Sequence, residues 1–262
     1  MDLLLTDEQE ELQDAFSKGI AKELPLERLH GEQRKAIDDA SLRIFADLGW
    51  LRMSMPEESG GLGLSYAEEV LLFRELGRNL APISPLAGVL AARVAAGADK
   101  AELTEAILAG EAAVGLAVPE PSPEPALQGE TQLRLLSSGK CEIAVLVLPD
   151  EAMLLDVARL ERPASPCLDD TLMMRRFDVS AAPFLARLEG PELWSHGSLL
   201  TAAMFVGQAE GARDMILEYA KIRQTFARPI GAYQAVRHPI AEMTARAEHA
   251  RCQAYYAALA LS

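Results

Sequence analysis

The spacing of apolar positions divides the chain into three stretches of different character. In the first, Thr6-Asp7-Glu8-Gln9 has the form of a capping box, and Leu12, Phe16 and Ile20 follow at helical intervals. A second helix is predicted from Lys35 to Leu48, with Ile37, Leu42, Ile44 and Phe45 on its apolar side; Gly49 ends it, glycine being the usual residue just past a helix C-terminus. Ser65 and Glu68 form another capping box, opening a helix that runs to about Arg78. Alanine-rich helices are predicted at Leu86–Ala96 and Leu103–Leu108. Gly60-Gly61-Leu62-Gly63 reads as a turn, because no strand precedes it as a dinucleotide loop would require.

The pattern changes near Val114. Val114–Val118 and Ile143–Leu148 are short, apolar and β-branched, and read as buried strands; Thr131–Leu136 and Leu172–Phe177 are further candidates. Pro119-Glu120-Pro121-Ser122-Pro123-Glu124-Pro125 lies among them and fits neither a helix nor a central strand. Helix returns after Pro191. Ser198–Ile222 carries Leu199, Ala203, Phe205, Val206, Ala209, Met215, Ile216 and Tyr219 over an apolar face, while Gly207 and Gly211, four apart, let another helix approach closely. A last long helix starts near Tyr233–Gln234 and continues to Ser262, with Pro239 near its first turn; it ends in mid-pattern, with no cap.

The chain has 262 residues, half of them apolar, and can bury a substantial core. No apolar run is long enough to cross a bilayer, and Met1-Asp2-Leu3-Leu4-Leu5-Thr6-Asp7-Glu8 lacks the basic start of a signal peptide. Cys141, Cys167 and Cys252 are odd in number, with no C-x-x-C pair, so they read as reduced packing thiols, and no metal site is expected. A net charge of −14 argues against a nucleic-acid surface. The expectation is a soluble, cytoplasmic, helix-rich protein.

The chemistry is concentrated at the junction of the last two helices. Arg223-Gln224-Thr225-Phe226-Ala227-Arg228-Pro229-Ile230, followed by Tyr233-Gln234-Ala235-Val236-Arg237-His238, brings together a guanidinium, an aromatic ring and a primary amide. Such a set can clamp a phosphate, support a flat ring and hydrogen-bond a polar linker. It resembles the R-x-x-F-G-x-P-I…F-Q-A-V-x-H signature of acyl-CoA dehydrogenases, FAD enzymes that desaturate acyl-CoA thioesters. Phe45-Ala46-Asp47-Leu48-Gly49-Trp50-Leu51 leading into Pro56-Glu57-Glu58, Gly60-Gly61 and Gly63 is similar to the family's N-terminal hallmark, as is Phe73-Arg74-Glu75-Leu76-Gly77-Arg78. Gly207-Gln208-Ala209-Glu210-Gly211-Ala212-Arg213, Tyr219-Ala220 and Ala241-Glu242-Met243 extend the likeness, which covers nearly all of 1–112 and 190–262.

The resemblance implies a mostly α fold with a small central β domain. Residues 1–112 would form the N-terminal helical domain, 113–183 a shortened β domain and 184–262 an incomplete C-terminal helical bundle. It also implies that Arg223, Phe226 and Gln234 reach across a subunit interface to the ADP half of a neighbour's FAD, contacting the pyrophosphate, the adenosine end and the polar linker. Singly, Arg223 also fits a solvated helix end, Phe226 a core position and Gln234 a helix-start amide. Glu210 and Glu248 read as solvated or paired, and His238 as structural. Ala227 stands where the family usually has glycine.

The departures are as informative. Self-sufficient members carry a strand ending in T-E-P-x-A-G-S-D; the matching place here is Val118-Pro119-Glu120-Pro121-Ser122, with no Gly-Ser-Asp after it, and 113–183 has no counterpart of their flavin-packing Trp strand. Trp194-Ser195-His196-Gly197-Ser198 lacks the carboxylate and Arg that usually meet the CoA ester, and Gly197 stands near the alternative base position. The family's usual glutamate base lies on a loop beyond the position of Ser262. No catalytic residue is therefore assigned. A kept clamp with no base resembles the partner subunit of a heteromeric α2β2 acyl-CoA dehydrogenase, as in bacterial steroid side-chain degradation. A homologous catalytic chain would be the partner, in a dimer or heterotetramer that takes an acyl-CoA. The alternatives are a self-sufficient acyl-CoA dehydrogenase whose later helices lie outside these residues, and a flavin-free scaffold subunit.

Overall fold

The computed structural model describes residues 3–30, 39–120, 132–139, 141–160, 165, 167, 169 and 172–262, with backbone only at 39–42. The helices are α1 Asp7–Glu23, α2 Asp39–Asp47, α3 Tyr66–Arg78, α4 Ser84–Gly97, α5 Ala101–Leu108, α6 Glu192–Ile222 and α7 Gln234–Leu261. Six strands, β1 Val114–Pro119, β2 Gln132–Ser137, β3 Ile143–Leu148, β4 Glu151–Asp156, β5 Met173–Asp178 and β6 Phe184–Glu189, form one sheet ordered β5-β2-β1-β3-β4-β6. Among the described strands only β1 and β3 pair in parallel, with Val114 opposite Ile143. A small hairpin, β7 Gln224–Thr225 with β8 Arg228–Pro229, joins α6 to α7. The mostly α architecture with a central sheet follows the expectation from sequence.

The chain forms two compact units, one of Met1–Leu26, Ser65–Ala81 and Leu199–Ser262, the other of Glu27–Leu64 and Pro82–Ser198. In the second unit, one face of the sheet gathers Ala117, Leu133, Leu135, Ala144, Leu146, Leu155 and Phe177 into a core. The α4 helix contacts β1, β3, β4 and β6. Phe45 and Trp50 stack with centroids 5.5 Å apart, and Gly49 between them has φ 73°, the left-handed conformation that ends α2. The start expected for α2, Lys35 to Asp38, lies outside the described residues, as do Pro121–Pro125 and Thr131. Pro119, read as unsuited to a central strand, instead ends the interior strand β1, opposite Leu133. Two strands, β4 and β6, are not predicted by the sequence pattern. β3 and β4 are joined across Pro149-Asp150, and β6 pairs with β4.

In the first unit both capping boxes form and are joined. Thr6 and Gln9 bond reciprocally at the start of α1, as Ser65 and Glu68 do at the start of α3. Gln9 Nε2 then donates to Glu68 Oε1 at 2.6 Å, and the Tyr255 hydroxyl of α7 donates to Gln9 Oε1 at 2.6 Å. One side-chain network thus satisfies orphan N–H groups of two helices and ties a third to them.

The α3 and α6 helices cross at very short range. A Cβ on Gly207 would lie 1.9 Å from the Arg74 carbonyl oxygen, one on Gly77 2.1 Å from that of Met204, and one on Gly211 3.2 Å from that of Arg78. The close approach expected at Gly207 and Gly211 is therefore realised, and Gly77 completes it. Leu199, Ala203 and Val206 of α6 are buried, but Phe205, Met215, Ile216 and Tyr219 are exposed. The single apolar face expected for α6 is corrected to a buried stripe and an exposed one. A helix this rich in apolar residues presents more than one such face.

Candidate functional site

The junction between α6 and α7 is built from its backbone outward. Arg223 N–H donates to Tyr219 O at 2.9 Å, closing the last turn of α6, and Ile230 N–H donates to Arg223 O at 2.8 Å, closing the base of the hairpin. Gln224 pairs with Pro229 and Thr225 with Arg228, leaving Phe226-Ala227 as a two-residue loop. Both loop residues have positive φ, 52° and 59°, as a type I′ turn demands. Neither is glycine, and each such residue costs on the order of 1 kcal/mol. The hairpin projects Phe226 into solvent at 89% exposure, which overturns the core alternative for that residue.

Arg223, Phe226 and Gln234 all lie on this one exposed helix–hairpin–helix element. Among the described residues the side chains of Arg223 and Gln234 have no hydrogen-bonding or ion-pair partner. Tyr233 is the N-cap of α7 and makes no side-chain cap bond there; Gln234, the first helical residue, likewise leaves its amide unused. Arg223 thus stands exposed just past the end of α6 and Gln234 exposed at the start of α7, positions that fit a solvated helix end and a helix-start amide as well as groups open to a ligand.

Three residues contribute features that the sequence did not reveal. The Arg228 guanidinium lies 3.9 Å from the centroid of the Tyr233 ring, a cation–π contact. The Tyr233 hydroxyl donates to Thr225 O at 2.8 Å. Arg237 stands exposed on the first turn of α7. From Tyr219 to Ala241 the chain carries Lys221, Arg223, Arg228 and Arg237 and not one Asp or Glu, within a protein of net charge −14. Such a local surplus of cations draws an anionic ligand to an otherwise acidic protein.

Several carboxylates elsewhere are committed to structure. Glu75 is 3% exposed, and burial pushes its carboxyl above the usual range, an effect that Arg74 and Arg78 offset only in part. Arg74 lies 3.5 Å from it and Arg78 3.8 Å, so it serves the helix crossing. Glu210, 4% exposed, accepts ion pairs from Arg74 Nε at 3.3 Å and Arg78 at 3.2 Å, which settles its reading as paired. Glu248 pairs with Arg251. Glu120, at the place that resembles the family's flavin-cradling strand end, pairs with Arg134 at 3.1 Å and Arg176 at 3.0 Å. Gly197 lies within α6 and brings no acid. All three cysteines are free, and among the described residues no cluster suited to a metal ion occurs. No described helix is long and apolar enough to cross a membrane.

Comparison with known proteins agrees with this architecture at both ends of the chain. Residues 6–111 match the acyl-CoA dehydrogenase N-terminal domain, and residues 193–262 the acyl-CoA dehydrogenase C-terminal domain. Acyl-CoA dehydrogenase FadE34 of Mycobacterium tuberculosis is 30% identical over 222 residues, covering 82% of this chain and 31% of its own length. Acyl-CoA dehydrogenase IpdE2 of the same organism is 30% identical over 215 residues, covering 80% of this chain and 62% of its own. The chain thus spans about a third of the first relative and about three fifths of the second. Among solved structures, the ChsE4–ChsE5 complex from Mycobacterium tuberculosis superposes with a TM-score of 0.76 at 20% identity, over 99% of this chain and 79% of that one. The Tcur3481–Tcur3483 steroid ACAD G363A variant gives 0.75 at 23% identity, over 97% and 78%. At these identities the structural likeness speaks to fold.

Proposed function

The chain belongs to the acyl-CoA dehydrogenase family, and from that premise we propose that it completes the FAD site of a homologous acyl-CoA dehydrogenase subunit in the α,β-desaturation of an acyl-CoA thioester. The observation that carries this reading is the exposed, acid-free junction, where Arg223 and Gln234 have unused donors and Phe226 stands 89% exposed. The donor set fits the ADP half of FAD. A guanidinium makes charge-assisted bonds to pyrophosphate oxygens, an exposed ring supports the adenosine end, and a primary amide bonds the polar linker.

FAD, when bound, supplies the acceptor for the hydride leaving the β-carbon. Removal of the α-proton needs a carboxylate within hydrogen-bonding reach of it. In this reading the partner subunit supplies that carboxylate; Glu75, Glu120, Glu210 and Glu248 are engaged with arginines, and Gly197 offers none. The complex is a dimer or heterotetramer in the cytoplasm. The steroid ACAD named among the structural neighbours makes a polycyclic acyl-CoA the first substrate to try.

The visible spectrum tests the proposal directly. The chain purified alone is expected to be colourless and to become flavin-yellow, at about one FAD per pair, only when co-expressed with a catalytic acyl-CoA dehydrogenase chain. A lone chain that is yellow and oxidises acyl-CoA would overturn the division of labour.

A further inference from the structure

We propose that Tyr233 is the positioning residue of this junction, locking the strained hairpin into the one conformation that presents Phe226 and leaves Arg223 as the free guanidinium. The inference rests on the flavin-clamp reading above. The hairpin has little to hold it by itself. Each of its strands is two residues long, and one of the four, Pro229, has no N–H to give. An isolated ribbon of this size is marginal in water. Its loop also places Phe226 and Ala227 at φ 52° and 59°, where side-chain-bearing residues are disfavoured.

Tyr233 supplies what the ribbon lacks. It sits at the N-cap of α7, anchored by 28 residues of helix behind it. Its hydroxyl donates to Thr225 O at 2.8 Å, on the strand that enters the loop. Its ring carries the Arg228 guanidinium at 3.9 Å, on the strand that leaves it. One side chain therefore grips both strands either side of the turn. It also divides the two junction arginines between tasks. Arg228 is held against the ring, while Arg223, whose carbonyl oxygen takes the Ile230 N–H at 2.8 Å, keeps its guanidinium unpaired.

A ligand that binds only the ordered hairpin sees its affinity reduced by the fraction of chains in which the hairpin is open. The Tyr233 hydroxyl acts on that fraction. So does the residue at 227, where glycine would remove the strain from the folded turn.

The test uses the full chain in complex with a catalytic acyl-CoA dehydrogenase chain, with FAD as the probe. Two quantities are read: amide exchange across Thr225–Arg228, and the FAD dissociation constant from flavin fluorescence titration of the stripped complex. Tyr233→Phe keeps the ring and loses only the hydroxyl. Exchange in the hairpin is expected to rise roughly fivefold, as loss of one hydrogen bond implies. Where this marginal hairpin is open in about a quarter or more of parent chains, FAD affinity should fall about two- to fivefold, with the global unfolding midpoint unchanged. Adding Ala227→Gly to Tyr233→Phe should restore both quantities.

Arg223→Ala, measured alongside, separates the two readings. If Arg223→Ala weakens FAD about tenfold or more while Tyr233→Phe leaves either exchange or affinity unchanged, the positioning role is overturned and the flavin clamp stands. If Arg223→Ala leaves FAD affinity unchanged, the clamp reading falls, and the role of Tyr233 falls with it.

Discussion

The crossing of α3 and α6 and the junction of α6 and α7 use the same residue types for opposite ends. At the crossing, Arg74 and Arg78 are spent on Glu75, Glu210 and Asp214, with Arg78 reaching Asp214 at 2.6 Å. At the junction, Arg223 faces solvent with no carboxylate in the surrounding sequence from Tyr219 to Ala241. Both stretches are rich in arginine, and an arginine count would rank them alike. What separates them is whether the charge is already satisfied. A satisfied buried arginine holds a fold together, whereas an exposed one kept clear of acids is available to a ligand.

The strongest way to break the comparison is to disturb the crossing. Gly207→Val would place a branched side chain where a Cβ already meets the Arg74 carbonyl at 1.9 Å. With backbone on both sides of the clash, the loss should be about 4 kcal/mol or more. Chemical denaturation should show a large fall in midpoint or no folded protein at all. Glu210→Ala comes next. It removes one carboxylate shared by two guanidiniums and leaves Arg74 with Glu75 alone. A destabilisation of about 3 kcal/mol is expected, and a value within experimental error of zero would show that the cluster is not structural.

The junction should respond in the reverse manner. Arg223→Ala is expected to leave the denaturation midpoint within about 0.5 kcal/mol of the parent while weakening FAD retention by the complex about tenfold or more. A variant that lost stability but kept flavin would turn the assignment of the two regions around.

Much of this was legible in sequence because it rests on local rules. Thr6/Gln9 and Ser65/Glu68 mark helix starts through short-range bonds, and Gly49 marks a helix end through its backbone freedom. The strand β6, with the sequence Phe-Leu-Ala-Arg-Leu-Glu, was not legible. Its composition favours helix, and pairing with β4 overrides that preference. The exposure of Phe205, Met215 and Tyr219 was not legible either, because spacing reveals apolar stripes without saying which one is covered. At the junction, residue types point to Arg223, Phe226 and Gln234, but the grip of Tyr233 on Arg228 and Thr225 depends on a turn that doubles the chain back. No spacing rule contains that distance.

The smallest expected effect separates two carboxylates on one helix by their pH dependence. At Glu68 burial works against the ionised form, but bonds from Gln9 and Ser65 outweigh it, and the carboxyl is held below its usual range. A carboxyl depressed in the folded state contributes stability that is present above the unfolded value, about 4.3, and is lost as pH falls through the lower folded value. Glu75, seven residues on, is shifted upward by burial. Its contribution has the opposite sign: present below the unfolded value and lost as pH rises through the raised one. Glu68→Gln should therefore cost about 1 kcal/mol at neutral pH, the usual worth of a capping interaction. The gap between parent and variant should narrow as pH is lowered below about 4. Denaturation midpoints of the two proteins measured between neutral and acid pH would show that convergence. A gap that stayed constant would mean that protonation of Glu68 does not weaken its bonds with Gln9 and Ser65, so that its charge contributes nothing to the cap.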